Sequence, residues 1–189
     1  PSFLPTLAAA GWRPLVVDWD APGKAEEKFA LDDYIARLAA IVDELAGRRH
    51  AHKPGLSPGL HVIGYCMGGL LALALATLRP GAVKALMLLA TPWDFHKPGP
   101  ATGQLLADFM GEWEAALAAT GAMPVDIIQH LFALLQPFQS VAKFAEFAAM
   151  DPGSMEARQF VLLEDWLNDG VPLPAAVALC LSATPLIRG

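Results

Sequence analysis

The sequence predicts an α/β protein: a parallel sheet with helices packed on it, followed by a helical insertion. Three observations carry that expectation. Short apolar runs (Pro14 to Trp19, Leu60 to Tyr65, Lys84 to Ala90) alternate with stretches of helical periodicity in the first half of the chain. Strands that are apolar throughout belong to a parallel sheet covered on both faces, and right-handed crossovers place them side by side. Beyond Gly103 the pattern is helical to the end, with no convincing strand.

Each element has a local cause. Phe3 to Ala10 is a helix ended by Gly11, the residue favoured just past a helix C-terminus. Pro14 to Trp19 (PLVVDW) is rich in β-branched residues and predicts a buried strand, broken by Ala21, Pro22 and Gly23. Leu31, Tyr34, Ile35, Leu38, Ile41, Val42 and Leu45 recur at helical spacing. Asp32 and Asp33 lie in that helix's first turn and Arg48 and Arg49 just past its end, both favoured by the helix dipole. A loop from Lys53 to Gly59 leads to the strand Leu60 to Tyr65, a tight turn, and a helix over Met67 to Leu78. Later helices are expected over Gln104 to Ala119, Pro124 to Leu135, Ser140 to Met150 and Ser154 to Leu167. Pro124 suits a first helical turn and Ser154 a cap. The Pro- and Gly-rich stretch from Thr91 to Gly103 marks a boundary. The expected organisation is therefore a partial sheet domain over 1–95, a helical cap over 96–180 and a tail over 181–189.

Composition narrows the function. Of 189 residues, 54% are hydrophobic and 17% charged, against disorder, and the net charge of −6 argues against nucleic acid as a partner. Mean hydropathy is +0.40, and the uncharged run from Leu56 to Leu78 is long enough to span a bilayer. It nevertheless carries Gly59, Gly64, Gly68 and Gly69 and resolves into strand, turn and helix, whose turn lipid would leave unpaired. No membrane span is expected. Cys66 and Cys180 form no CxxC pair and no leader begins the chain, which points to a reducing cytoplasm. The chain starts at Pro1, so an upstream segment is expected to be missing. The basic cluster of Arg48, Arg49, His50, His52 and Lys53 reads as a solvated loop, with phosphate or coenzyme contact as its sharper alternative.

The chemistry concentrates in one turn. Gly64-Tyr65-Cys66-Met67-Gly68, followed by Gly69, fits G-x-C-x-G, the cysteine form of the G-x-S-x-G nucleophile elbow. Such a turn holds its nucleophile on a strained corner between strand and helix. The glycines two before and two after it let the helix come close. Here an apolar strand precedes the turn and an apolar helix follows. A thiol at a helix N-terminus is favoured as thiolate, and the Met67 N–H would form half of an oxyanion hole. The competing reading packs Cys66 as a small buried hydrophobe, which leaves the glycines and flanks as coincidence. Thiolate attack on a thioester exchanges one thioester for another and keeps the acyl group activated. That suits an acyltransferase better than a hydrolase.

These residues resemble the polyhydroxyalkanoate synthases, of the α/β-hydrolase superfamily. The matching stretches are Pro14 to Gly23 (PLVVDWDAPG), Leu31 to Ile35 (LDDYI), His61 to Gly69 (HVIGYCMGG) and Ala85 to Phe95 (ALMLLATPWDF). Gly121 to Ala178 resembles the family's cap more loosely. The resemblance implies an incomplete α/β-hydrolase-type parallel sheet with a helical cap insertion. It implies an acyltransferase that polymerises 3-hydroxyacyl groups from coenzyme A thioesters through an acylated cysteine, which falls on Cys66. It also implies an acyl-CoA substrate, a polyester product, no cofactor beyond that thioester, granule association, and a homodimer or a small accessory subunit.

The resemblance further implies a histidine base and an aspartate on loops after the cap, and a second oxyanion donor before Pro1. The cap takes up nearly all of the chain after Cys66, and the ending Leu179 to Gly189 departs from the family, so a fragment inactive alone is expected. Among local candidates, Asp94 and His96 follow the third strand and share the sheet edge of Cys66, although the resemblance gives WDF a structural part. His61 starts its strand, away from the turn; His50 and His52 read as exposed; His130 sits in a cap helix; Asp18 caps the loop after the first strand. Phe109, Met110, Trp113, Phe132, Phe138, Phe144, Phe147 and Met150 recur through the cap as core or as the lining of an acyl channel. Cys180 carries no argument. Two other functions compete: an esterase, thioesterase or polyester depolymerase on the same fold, and a non-catalytic fragment or granule-binding protein.

Overall fold

The computed structural model describes residues 2–52, 59–92, 100–135 and 139–183. Helix α1 (Phe3–Ala9) closes at Gly11, whose φ of +87° lets its own N–H and that of Trp12 reach back to Ala8 and Leu7. The 3₁₀ turn Glu26–Lys28 leads into α2 (Leu31–His52), where the Asp33 carboxylate accepts the Ala30 N–H at 2.8 Å in a capping arrangement. Trp19 and Phe29 meet the Tyr34 ring edge-on, and Arg37 lies over Phe29 and pairs with Glu26 at 2.9 Å, which fastens this stretch to α2.

Strand β1 (Leu60–Tyr65), helix α3 (Met67–Leu78) and strand β2 (Val83–Leu89) follow as one β-α-β unit. The strands are parallel neighbours in the register His61↔Ala85 through Tyr65↔Leu89. Leu71, Ala72 and Leu75 of α3 are buried, and Leu75 joins Ala39 and Val42 of α2 in a core to which Leu60, Val62 and Val83 add. At the end of α3, Arg79 holds Asp43 of α2 through both carboxylate oxygens, with contacts of 3.0 to 3.2 Å.

The second half is a helical layer: α4 (Pro100–Thr120), α5 (Val125–Leu135), α6 (Gln139–Ala148), α7 (Met155–Asn168) and α8 (Ala175–Ala183). Its core gathers Phe109, Leu117, Met123, Ala175 and Ala178, with Trp113 packed against it. Phe147 stacks on Phe160 at 4.4 Å and Lys143 pairs with Glu164 at 2.8 Å, which joins α6 to α7. The Ser154 hydroxyl caps α7 by accepting the Ala157 N–H at 3.1 Å. Helix α8 touches α2 and the 3₁₀ turn, so the two halves meet.

Several expectations are corrected. Pro14 to Trp19 joins no ladder, and Leu15 and Val16 are 59% and 65% exposed; its β-branched residues favour extension, but no strand among the described residues supplies hydrogen bonds. Helix α2 runs on through His52, so the backbone of Arg48, Arg49, His50 and His52 is helical, and Arg48 pairs with Glu44 one turn back. The cap is not free of strand: β3 (Ala122–Met123) and β4 (Leu173–Pro174) form a two-residue antiparallel ladder where Gly121, at φ +78°, turns the chain. Pro124 precedes α5 rather than opening it, its carbonyl accepting from Ile127 and Ile128. Helix α8 continues through Ala183, inside the stretch set apart as a tail. Cover on both sheet faces is lacking among the described residues, where Ile63, Met87 and Leu88 are exposed. No described helix is long and apolar enough to cross a membrane.

The Arg79 hydrogen bonds, aided by its charge, hold the Asp43 carboxyl below its usual range. A carboxyl lowered on folding stabilises above its unfolded value of about 4 and loses that contribution as pH falls through the folded value. Asp43→Asn is therefore expected to melt below the native chain at neutral pH, with the gap closing under acid. Melting curves across pH 2 to 7, roughly the carboxylate range, check this.

Candidate active site

Cys66 stands alone between the last residue of β1 and the first of α3, with φ +50° and ψ −127°. That sparsely populated conformation costs a non-glycine residue about 1–3 kcal/mol, so neighbouring contacts must hold it. Its N–H donates to the Leu89 carbonyl at 2.9 Å, which continues the β1–β2 ladder by one bond. Its carbonyl accepts the Gly69 N–H at 2.9 Å, the first bond of the helix. The residue is half-buried and in no disulfide. Met67 opens α3, so its N–H has no acceptor within the helix and is available at the corner.

The glycines differ in what they do. A methyl on Gly64 would lie 2.5 Å from the Gly69 Cα, 2.7 Å from the Gly68 carbonyl oxygen and 2.8 Å from Ala72 Cβ, so a side chain there pushes α3 off the strand. A methyl on Gly69 would lie within 2.6 Å of Thr91 Cγ2. Nothing lies within 4 Å of the corresponding position on Gly68. The second glycine the packing requires is thus Gly69, and Gly68, expected from the five-residue pattern, meets no steric demand.

Other anticipated residues lie elsewhere. His61 packs on Trp12 with ring centroids 4.7 Å apart, near the start of β1. His130 stacks on Phe109 at 6.1 Å in the cap. Asp18 accepts the Asp20 N–H at 3.1 Å and so caps its loop as expected. Phe109 is core, whereas Phe132 and Phe144 are 60% and 49% exposed. Cys180 is exposed on α8. Asp94, His96 and Phe138 lie outside the described residues, as do the side chains of Met110, Arg49, His50 and His52. Among the described residues no group of acidic, histidine or cysteine side chains is arranged to hold a metal.

Sequence reasoning missed Thr91, half-buried just past β2 and packed against Gly69. The available signal was a small polar residue two positions past an apolar strand, at the carboxyl edge that also carries Cys66.

Gly64→Ala is expected to destabilise the chain by about 3 kcal/mol through overpacking. Gly68→Ala, inside a helix and sterically open, is expected to stabilise it by about 0.5–1 kcal/mol. Urea unfolding of the two variants checks both signs.

A family model described as the alpha/beta hydrolase fold matches residues 1–125. The Poly(3-hydroxyalkanoate) polymerase subunit PhaC of Thiocystis violacea is 28% identical over 172 residues, covering 89% of this chain and 46% of that protein. That of Haloarcula marismortui is 26% identical over 171 residues, covering 90% and 35%. The corresponding subunit of Allochromatium vinosum is 28% identical over 172 residues, covering 89% and 46%. The chain thus spans less than half the length of these curated relatives. No solved structure matches it significantly. A parallel strand-helix-strand unit turning at a left-handed cysteine agrees with the family match over two thirds of the sequence, and the chain belongs to the α/β-hydrolase fold family.

Proposed function

We propose that this chain carries the nucleophile of a polyhydroxyalkanoate synthase-type acyltransferase, acting on a 3-hydroxyacyl coenzyme A thioester. The observation that supports this reading above all is the left-handed conformation of Cys66 at the strand-helix corner. The likeness to polymerase subunits over about nine-tenths of the chain adds the substrate class. In the proposed step the Cys66 sulfur, deprotonated, attacks the thioester carbonyl. A carbon–sulfur bond forms to Cys66, the bond to coenzyme A breaks, and the departing sulfur takes up a proton. The Met67 N–H, at the start of α3, is the proposed donor to the oxyanion that develops between these events. A hydroxyl of the next 3-hydroxyacyl unit then accepts the acyl group and frees the thiol, so the polyester grows by one ester bond. Hydrolysis on the same corner would deliver free hydroxy acid instead.

In the protein as the cell makes it, Cys66→Ala is expected to abolish release of free thiol from 3-hydroxybutyryl coenzyme A. Unchanged release ends the proposal, and free hydroxy acid without polymer in the native protein replaces it with a hydrolase. The 189-residue chain alone is expected to show no sustained turnover, because it spans less than half the length of the polymerase subunits it resembles. A linear time course at a rate matching the cellular protein would overturn that expectation.

A further inference from the structure

The carboxyl edge of the sheet holds a second strained residue. Ala90, directly after β2, has φ +47°, and Cys66, directly after β1, has φ +50°. The two are equivalent by register, since Tyr65 pairs with Leu89. Alanine gains nothing locally from a left-handed conformation, so contacts beyond it must keep the chain turned there. The contact the structure offers is the next side chain. Thr91 fills the notch that Gly69 leaves in the first turn of α3, close enough that a methyl on Gly69 would fall on its Oγ1, Cγ2 and Cβ together.

From this packing we infer that Thr91 is a positioning residue for Cys66. It seats the end of β2 against the first turn of α3 and so fixes the corner between them. The seat and the corner share one atom. The Leu89 carbonyl oxygen accepts the Cys66 N–H at 2.9 Å and faces the Thr91 hydroxyl at 3.5 Å. At 3.5 Å the hydroxyl bond is weak, so the shape of the side chain carries the effect. Without that shape α3 and β2 lose their fixed spacing at the edge, and the backbone of Cys66 is free to leave its left-handed well. The inference deepens the proposed role of Cys66 and rests on it.

The test reads the thiol directly and needs no turnover. Peptide-resolved mass spectrometry gives the rate at which iodoacetamide alkylates Cys66 relative to Cys180 in the same chain. Thr91→Val keeps the shape and is expected to stay within about twofold of native, whereas Thr91→Gly is expected to lower the relative rate about tenfold. Gly69→Ala with Thr91→Gly moves the filling methyl from strand to helix, and is expected to recover most of the loss that each single change causes. An equal or faster rate in Thr91→Gly, or a double variant no better than the singles, overturns the inference. If Thr91→Gly does not melt cooperatively, Thr91→Ala carries the same comparison, with a fall expected and no change overturning it. Failure here leaves thiol release in Cys66→Ala untouched, so the two readings fail separately.

Discussion

Helix α3 comes so close to β1 that backbone meets backbone where they cross. Gly64 on the strand faces Gly69 on the helix, and a single methyl on either would collide with its surroundings. The seating of α3 on the sheet follows from that approach. It lets Leu71, Ala72 and Leu75 sink out of solvent and brings Leu75 onto Ala39 and Val42 of α2. Each buried leucine contributes about 1.5–3 kcal/mol, so the helix is held along its length by packing that a wider spacing would forfeit. The sharp corner at Cys66 is the consequence: a helix this near its strand must begin within one residue of the strand's end.

The cap is built on a different constraint. Its helices surround Phe109, Leu117 and Met123, and its two-residue ladder is closed by the Ala175 N–H donating to the Gly121 carbonyl at 2.9 Å. That bond aligns α8 with α4, and α8 in turn touches α2 and the 3₁₀ turn before it. The front of the molecule and the cap are therefore joined through α8, a helix too short and too uniformly apolar to announce its role by periodicity. Helix α7 keeps Leu162, Leu163 and Trp166 exposed even though its own end is properly capped.

What could be read from residues alone follows the range of the forces involved. Strand β1 and helix α3 lie where the pattern puts them because glycines bracket the change of period and both segments are apolar throughout. The Ser154 cap was legible because it involves a residue and its neighbour three positions on. Pro14 to Trp19 has the composition of a strand yet forms none, because strand formation depends on a partner and local propensity says nothing about whether one is adjacent. The ladder between Ala122–Met123 and Leu173–Pro174 joins segments some fifty residues apart and has no periodic signature at two residues' length. At the corner, the five-residue pattern places Cys66 between strand and helix and Gly64 where the two cross, but it expects of Gly68 the close packing that falls to Gly69. The reason is three-dimensional: Thr91 presses on Gly69 from just past β2, and no spacing within the turn encodes that.

The strain at the corner is held by bonds the corner itself makes. Returning Cys66 to an ordinary φ would give up its N–H bond to Leu89 and its carbonyl bond from Gly69, each contributing about 1 kcal/mol, and would disturb the seating of buried α3. The positive-φ state costs about 1–3 kcal/mol, so the bonds and packing together outweigh it. None of these terms involves the sulfur. The backbone would hold a serine in the same place, which means that the choice of cysteine is not made by folding. On the proposed reading it is made by chemistry: a thioester formed at Cys66 keeps nearly the free energy of the thioester consumed, and the acyl group remains ready for transfer to the next hydroxyl.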